Sequence, residues 1–71
     1  MITEQDFLEK MKAILENNDV TMDSELQATG GWDSMGLVEF LAMADANCGK
    51  RVEPEQADGC ATIRELYALL Q

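Results

Sequence analysis

Histidine is absent from this chain, and with it goes the side chain that most often serves as general base or metal ligand near neutral pH. No Ser-His-Asp arrangement can be built, so catalysis by the chain itself is not expected. Cysteine is scarce. Cys48 and Cys60 are the only two; they stand outside any C-x-x-C spacing, and without histidine they make a poor zinc site. They read as small buried apolar residues of a protein in a reducing compartment, and no metal is expected. Bases are few as well: five against 14 acids, for a net charge of −9. That balance argues against nucleic acid and anionic membrane surfaces, both of which select basic patches. It aids solubility in any case and suits partners with basic docking surfaces. There is neither a signal-peptide pattern nor an apolar run of about 18 residues, so the reading is a cytoplasmic protein without membrane insertion.

What the chain does have is helical periodicity. Its 71 residues make one domain, residues 1–71, too short to split. A core of this size supplies about 3–5 kcal/mol of net stability. Thr3 opens the first helix, with Asp6 placed for a short capping box. Phe7, Leu8, Met11, Ile14 and Leu15 then recur at helical spacing, with Glu4, Glu9, Lys12 and Glu16 on the opposite face. Asn17-Asn18 should end it, since asparagine accepts left-handed terminal positions. From Asn17 to Trp32 no period is sustained. So long a connection must bury something, and Val20, Met22 and Leu26 are its available anchors. Asp19, Asp23, Ser24 and Glu25 lack the order of a calcium loop and predict a solvated, capped segment, with Ser24 starting a short helical turn.

A second helix is expected from Asp33 to about Cys48. Leu37, Leu41, Ala44 and Cys48 mark an apolar row, with Phe40 and Met43 beside it. Val38 and Ala42 widen the stripe until most of the helix touches something. Gly49 is placed to end it, and Lys50-Arg51 follows where positive charge suits a helix C-terminus. Pro54 can open a short helical turn over Glu53–Ala57, and Cys60 is a core contact. Thr62 and Glu65 form a capping box, and Ile63, Leu66, Tyr67, Leu69 and Leu70 give the last helix its stripe, ending at Gln71. The fold class is therefore all-α: a small bundle of three main helices and one short one, closed by a long first loop. The initial Met1 and the well-capped ends favour a freestanding protein, and a monomer is expected.

The candidate site is the stretch Gly30-Gly31-Trp32-Asp33-Ser34-Met35-Gly36-Leu37-Val38-Glu39-Phe40. Asp33 and Ser34 are both good N-caps. Whichever caps, the Ser34 hydroxyl stands at the positive end of a helix, where free N–H groups and the macrodipole favour a phosphate. Glu39 is an acid among apolar residues, one to two turns from that hydroxyl. Met35 directly follows it, with a flexible thioether suited to adaptable contact. Gly36 costs the helix about 1 kcal/mol against alanine, a cost that close approach by a partner or a bound group would offset.

Asp33-Ser34-Met35 followed by Val38-Glu39-Phe40 resembles the D-S-L-x-x-V-E-L signature of acyl carrier proteins. Chain length, acidity and helix order extend the resemblance over essentially the whole sequence. Met35 in place of leucine, Gly36 within the helix and Trp32 in place of a small residue are departures. The resemblance implies a carrier that is not an enzyme, with a 4′-phosphopantetheine arm donated by coenzyme A and attached to Ser34 by a phosphopantetheinyl transferase. Acyl groups would ride on the arm as thioesters, exchanged with loading, condensing and unloading enzymes. Asp33, Met35, Val38 and Glu39 would form the docking surface. Phe40, Ala44, Cys48 and Cys60 would lie around an interior able to receive an acyl chain, with the short helix near its mouth. Val38-Glu39-Phe40 leans towards the fatty-acid or polyketide type. Gly30-Gly31 and Trp32 are similar to aminoacyl or peptidyl carriers, the alternative cargo class. A small acidic adaptor that is never modified, with Ser34 merely a helix cap, is a further alternative.

Overall fold

The first helix, α1, runs Glu4–Leu15, and Thr3 caps it by accepting from the Asp6 N–H at 3.1 Å. The computed structural model describes residues 2–71, leaving Met1 outside the described residues. The apolar stripe buries Phe7, Met11 and Leu15, while Leu8 and Ile14 lie half-buried at its edges. The helix closes one residue earlier than the asparagines suggest. Glu16, not Asn17, takes the left-handed position, at φ 53° and ψ 42°. Its N–H reaches Ala13 O at 3.3 Å, and that of Asn17 reaches Lys12 O at 3.1 Å, which satisfies two terminal carbonyls. Asn17 instead turns its side-chain oxygen to the Asp19 N–H, 2.9 Å away.

The long connection is tied down at both of its faces. Val20, Met22 and Leu26 are buried, as their apolar character in a polar stretch predicts. Three backbone bonds then lace it to the start of the last helix, α4, Ile63–Ala68. Leu26 N–H donates to Ala61 O at 2.8 Å, Ile63 N–H to Ser24 O at 3.2 Å and Arg64 N–H to Met22 O at 2.8 Å. The last two are helix-start donors without an intrahelical partner, so loop and helix satisfy each other. Above them the Arg64 guanidinium stands 2.9 Å from Glu4 and 3.1 Å from Asp23. The hydrogen bond to Asp23, ahead of the contact with Glu4, raises the arginine pKa further. The helical turn in this segment is Leu26–Ala28, following Glu25. Ser24 does not open it; its hydroxyl accepts from the Thr21 N–H at 2.8 Å.

The central helix, α2, is Ser34–Cys48, and α1 packs beside it antiparallel: Asn47 shares a cleft with Ile2 and Asp6, while Ile14 meets Gly36 at the other end. Its buried face is Gly36, Phe40, Met43 and Ala44. This corrects the apolar row expected from the sequence, since Leu37, Leu41 and Cys48 are only half-buried at one flank. The helix is apolar nearly all round, so hydrophobicity alone could not choose the face. Gly49 ends it at φ 64°. A short helix, α3, Pro54–Asp58, follows with Pro54 in the first turn, and the Glu53 N–H donates to Gln56 Oε1 at 3.0 Å. Thr62 and Glu65 make their capping box. The last helix stops at Ala68 rather than Gln71, because Leu69, Leu70 and Gln71 donate to Leu66, Tyr67 and Ala68, tightening the end to three-residue spacing.

Through the middle of the bundle the aromatic rings stand in a row. Tyr67 and Phe7 are 5.3 Å apart between ring centroids, Phe7 and Phe40 6.2 Å, and Phe40 and Trp32 6.2 Å. The last two pairs meet edge to face, the favoured arrangement for such rings.

Candidate functional site at the head of the central helix

Asp33, in extended conformation, takes the cap of α2: its Oδ1 accepts from the Gly36 N–H at 2.9 Å and its carbonyl from the Leu37 N–H at 2.9 Å. Ser34 is the first helical residue and is exposed. The division of labour that the sequence left open is thus settled. The carboxylate satisfies the helix, and the neighbouring hydroxyl stays out of the cap. The Ser34 and Met35 N–H groups head a 15-residue helix, an end that favours a phosphate.

A left-handed turn and two close approaches shape the loop before Ser34. Gly30 lies at φ 78°, a left-handed turn that favours glycine. Gly31 presses against the last turn of α1 so tightly that an added Cβ would fall inside the shell of the Leu15 carbonyl oxygen, 3.1 Å from Leu15 C and Cα. Gly36 lets the preceding loop lie on the helix: its missing Cβ would stand 3.1 Å from Gly31 O and 3.6 Å from both Ile14 Cγ2 and Trp32 Cε3. The close approach at Gly36 is therefore internal, to the chain's own loop, and the residue is buried. Thr29 completes the turn, donating its hydroxyl to Leu26 O at 2.8 Å.

Around Ser34 the expected docking residues are exposed. Met35 is 69% and Val38 63% accessible, the large apolar side chains most open to water among the described residues. Glu39 is exposed too. Asp33, Met35 and Glu39 line one cleft of about 440 Å³, with Ile14 and Glu16 from the end of α1 and Gly30-Gly31 from the loop. The four pocket candidates divide differently. Phe40 and Ala44 are fully buried in the core, and Cys48 and Cys60 are half-buried against it as free thiols. The Cys60 Sγ donates to Gln56 O at 3.4 Å. Burial first, and the charge of Glu65 second, raise its thiol pKa. Gly31 lies within the stretch that the sequence marked as the candidate site, whereas Glu16 was not singled out and nothing in the sequence marked it.

A family model described as phosphopantetheine attachment site matches residues 5–70. The chain belongs to that family, whose domains carry 4′-phosphopantetheine covalently, work with modifying enzymes and are not themselves catalytic. It is a phosphopantetheine carrier with the small all-α bundle expected of an acyl carrier protein. No curated protein and no solved structure matches it. Its residues fit the group: an exposed primary hydroxyl stands at a helix head with the cap already filled. Among the described residues, no helix is long and apolar enough to cross a membrane.

Proposed function

We propose that Ser34 is the attachment residue and that the chain carries acyl intermediates of the fatty-acid or polyketide type. The observation that carries this reading is the exposed Ser34 at the first position of α2, with Asp33 holding the cap. A phosphopantetheinyl transferase supplies base and metal. The serine oxygen would form the new phosphoester bond as the pyrophosphate bond of coenzyme A breaks, its proton passing to the transferase and adenosine 3′,5′-bisphosphate departing as the leaving group. The arm's terminal thiol holds the cargo as a thioester. This chain's part is to present the hydroxyl, place helix N–H groups beside the phosphate, and offer itself to successive enzymes.

Met35, Val38, Glu39 and Asp33 form the docking surface: two exposed apolar side chains beside two carboxylates. A partner with a basic rim would be steered by the charge and released readily, which a shuttle requires. Phe40, Ala44, Cys48 and Cys60 border the interior that an acyl chain would have to enter. The setting is cytoplasmic. Stopped-flow loading of Glu39→Lys and Met35→Ala by the transferase across a salt series tests the surface. Glu39→Lys should slow association and flatten the salt dependence; Met35→Ala should speed dissociation. Wild-type kinetics in both folded variants would remove these residues from the docking surface.

A further inference from the structure

The aromatic row contains every aromatic side chain that the chain possesses. One end is anchored, since the Tyr67 hydroxyl donates to Ile2 O at 3.0 Å. The other end is Trp32, two residues before Ser34. Phe7 and Phe40 are fully buried, whereas Trp32 and Tyr67 at the two ends are half-buried, so the indole is the member of the row that meets solvent at the Ser34 end. It sits edge to face on Phe40, with interplanar angle 71°. Its Cε3 lies 3.6 Å from the position of a Cβ on Gly36, so the bare backbone there lets the ring settle against the helix.

We propose that Trp32 decides which cargo the core admits. Seated on Phe40, the indole closes the core at the end nearest Ser34, so the carried chain stays outside the bundle. The cargo class is then short acyl groups, which need no apolar shelter. The proposal rests on Ser34 as the attachment point. To pass between Trp32 and Phe40 an acyl chain must take volume from a close-packed row and break an edge-to-face contact. A few methylenes regain too little apolar burial to offset that. With the ring removed, Phe40 and Ala44 become reachable from the Ser34 end, and an acyl chain can lie against them.

The test loads wild type, Trp32→Ala and Trp32→Leu with acetyl- and octanoyl-pantetheine from the corresponding coenzyme A thioesters, checked by intact mass. Hydroxylamine cleavage of each thioester is then compared with the same thioester on free pantetheine. In wild type both should be cleaved as fast as their free counterparts. Emission from Trp32, the chain's one tryptophan, should be the same with either cargo as with the bare arm. In Trp32→Ala, octanoyl should be cleaved about fivefold more slowly, as for a chain sheltered about four-fifths of the time, with acetyl unprotected. Trp32→Leu is held to the same criterion if the alanine variant loses its helical circular dichroism, and the wild-type rates decide alone if neither folds. Octanoyl protection or shifted emission in wild type overturns the proposal, as does an unprotected octanoyl group in a folded variant. A wild-type chain that gains no mass overturns the attachment reading and this proposal together; the other failures overturn this proposal alone.

Discussion

Replacing Gly31 by alanine is the severest small change the fold around Ser34 can be given. The new methyl would meet Leu15 O, C and Cα, all backbone atoms of the last turn of α1, so no side-chain rotation can relieve it. The helix end and the loop must move apart, and overpacking of that kind costs about 1–3 kcal/mol. Against a total of about 3–5 kcal/mol for so small a core, the loss is severe. A 2 kcal/mol change lowers the melting temperature by about 8–16 °C in a domain of this size. Gly36→Ala is the matched control. There the methyl would lie 3.1 Å from Gly31 O and 3.6 Å from two side-chain atoms, so a small adjustment suffices. It also gains about 1 kcal/mol of helix propensity, and the net should lie within about 0.5 kcal/mol of zero, a propensity gain set against mild crowding. Urea titrations followed by circular dichroism and by Trp32 emission measure both. A Gly31→Ala protein as stable as wild type, or a Gly36→Ala protein destabilised more than Gly31→Ala, would refute the packing described for this site.

Asp33→Ala should cost about 1 kcal/mol through the lost cap, while Ser34→Ala should leave the urea midpoint nearly unchanged, because the hydroxyl takes no part in that cap. Equal losses in the two variants would show that they share it. Glu16→Gly should stabilise by about 0.5–1 kcal/mol, since glycine relieves the left-handed conformation; a fall in melting temperature would mean that the Glu16 side chain contributes more than its backbone costs. With 14 acids against five bases, moderate salt should raise the melting temperature by screening repulsion, and a flat response would count against that. Cys60 titrates above an ordinary thiol because burial disfavours its thiolate. Its alkylation should therefore lag behind that of a small-molecule thiol as pH rises towards 9 and catch up on unfolding; alkylation at the free-thiol rate in the folded protein would contradict the burial.

Much of the architecture could be read from the chain because most of its segments carry their own punctuation. Phe7, Met11 and Leu15 repeat on one face, Val20, Met22 and Leu26 are apolar in a polar stretch, and Thr62 and Glu65 form a cap before an apolar run. The central helix was legible in extent but not in orientation. Apolar residues stand on nearly every side, and the buried face includes Gly36, where the loop and Ile14 of α1 come close and which carries no apolar signal of its own. The end of α1 was misplaced because tertiary contact between Gly31 and Leu15 fixes where the chain turns, and Glu16 accepts the left-handed position that asparagine favours more. At the site, the motif and the cap chemistry are what single out Ser34 as the proposed attachment residue. The contact between Trp32 and Phe40 could not be seen, since it joins a loop to the far side of a helix turn and leaves no periodic trace.

The proposed function depends on Ser34 carrying the arm. Incubating the protein with coenzyme A and a promiscuous phosphopantetheinyl transferase, then reading intact mass for wild type and Ser34→Ala, tests it directly. Wild type should gain the mass of one phosphopantetheine, and Ser34→Ala, still folded, should gain none. An unmodified wild type would support the unmodified adaptor instead, and a modified Ser34→Ala would place the arm on another residue.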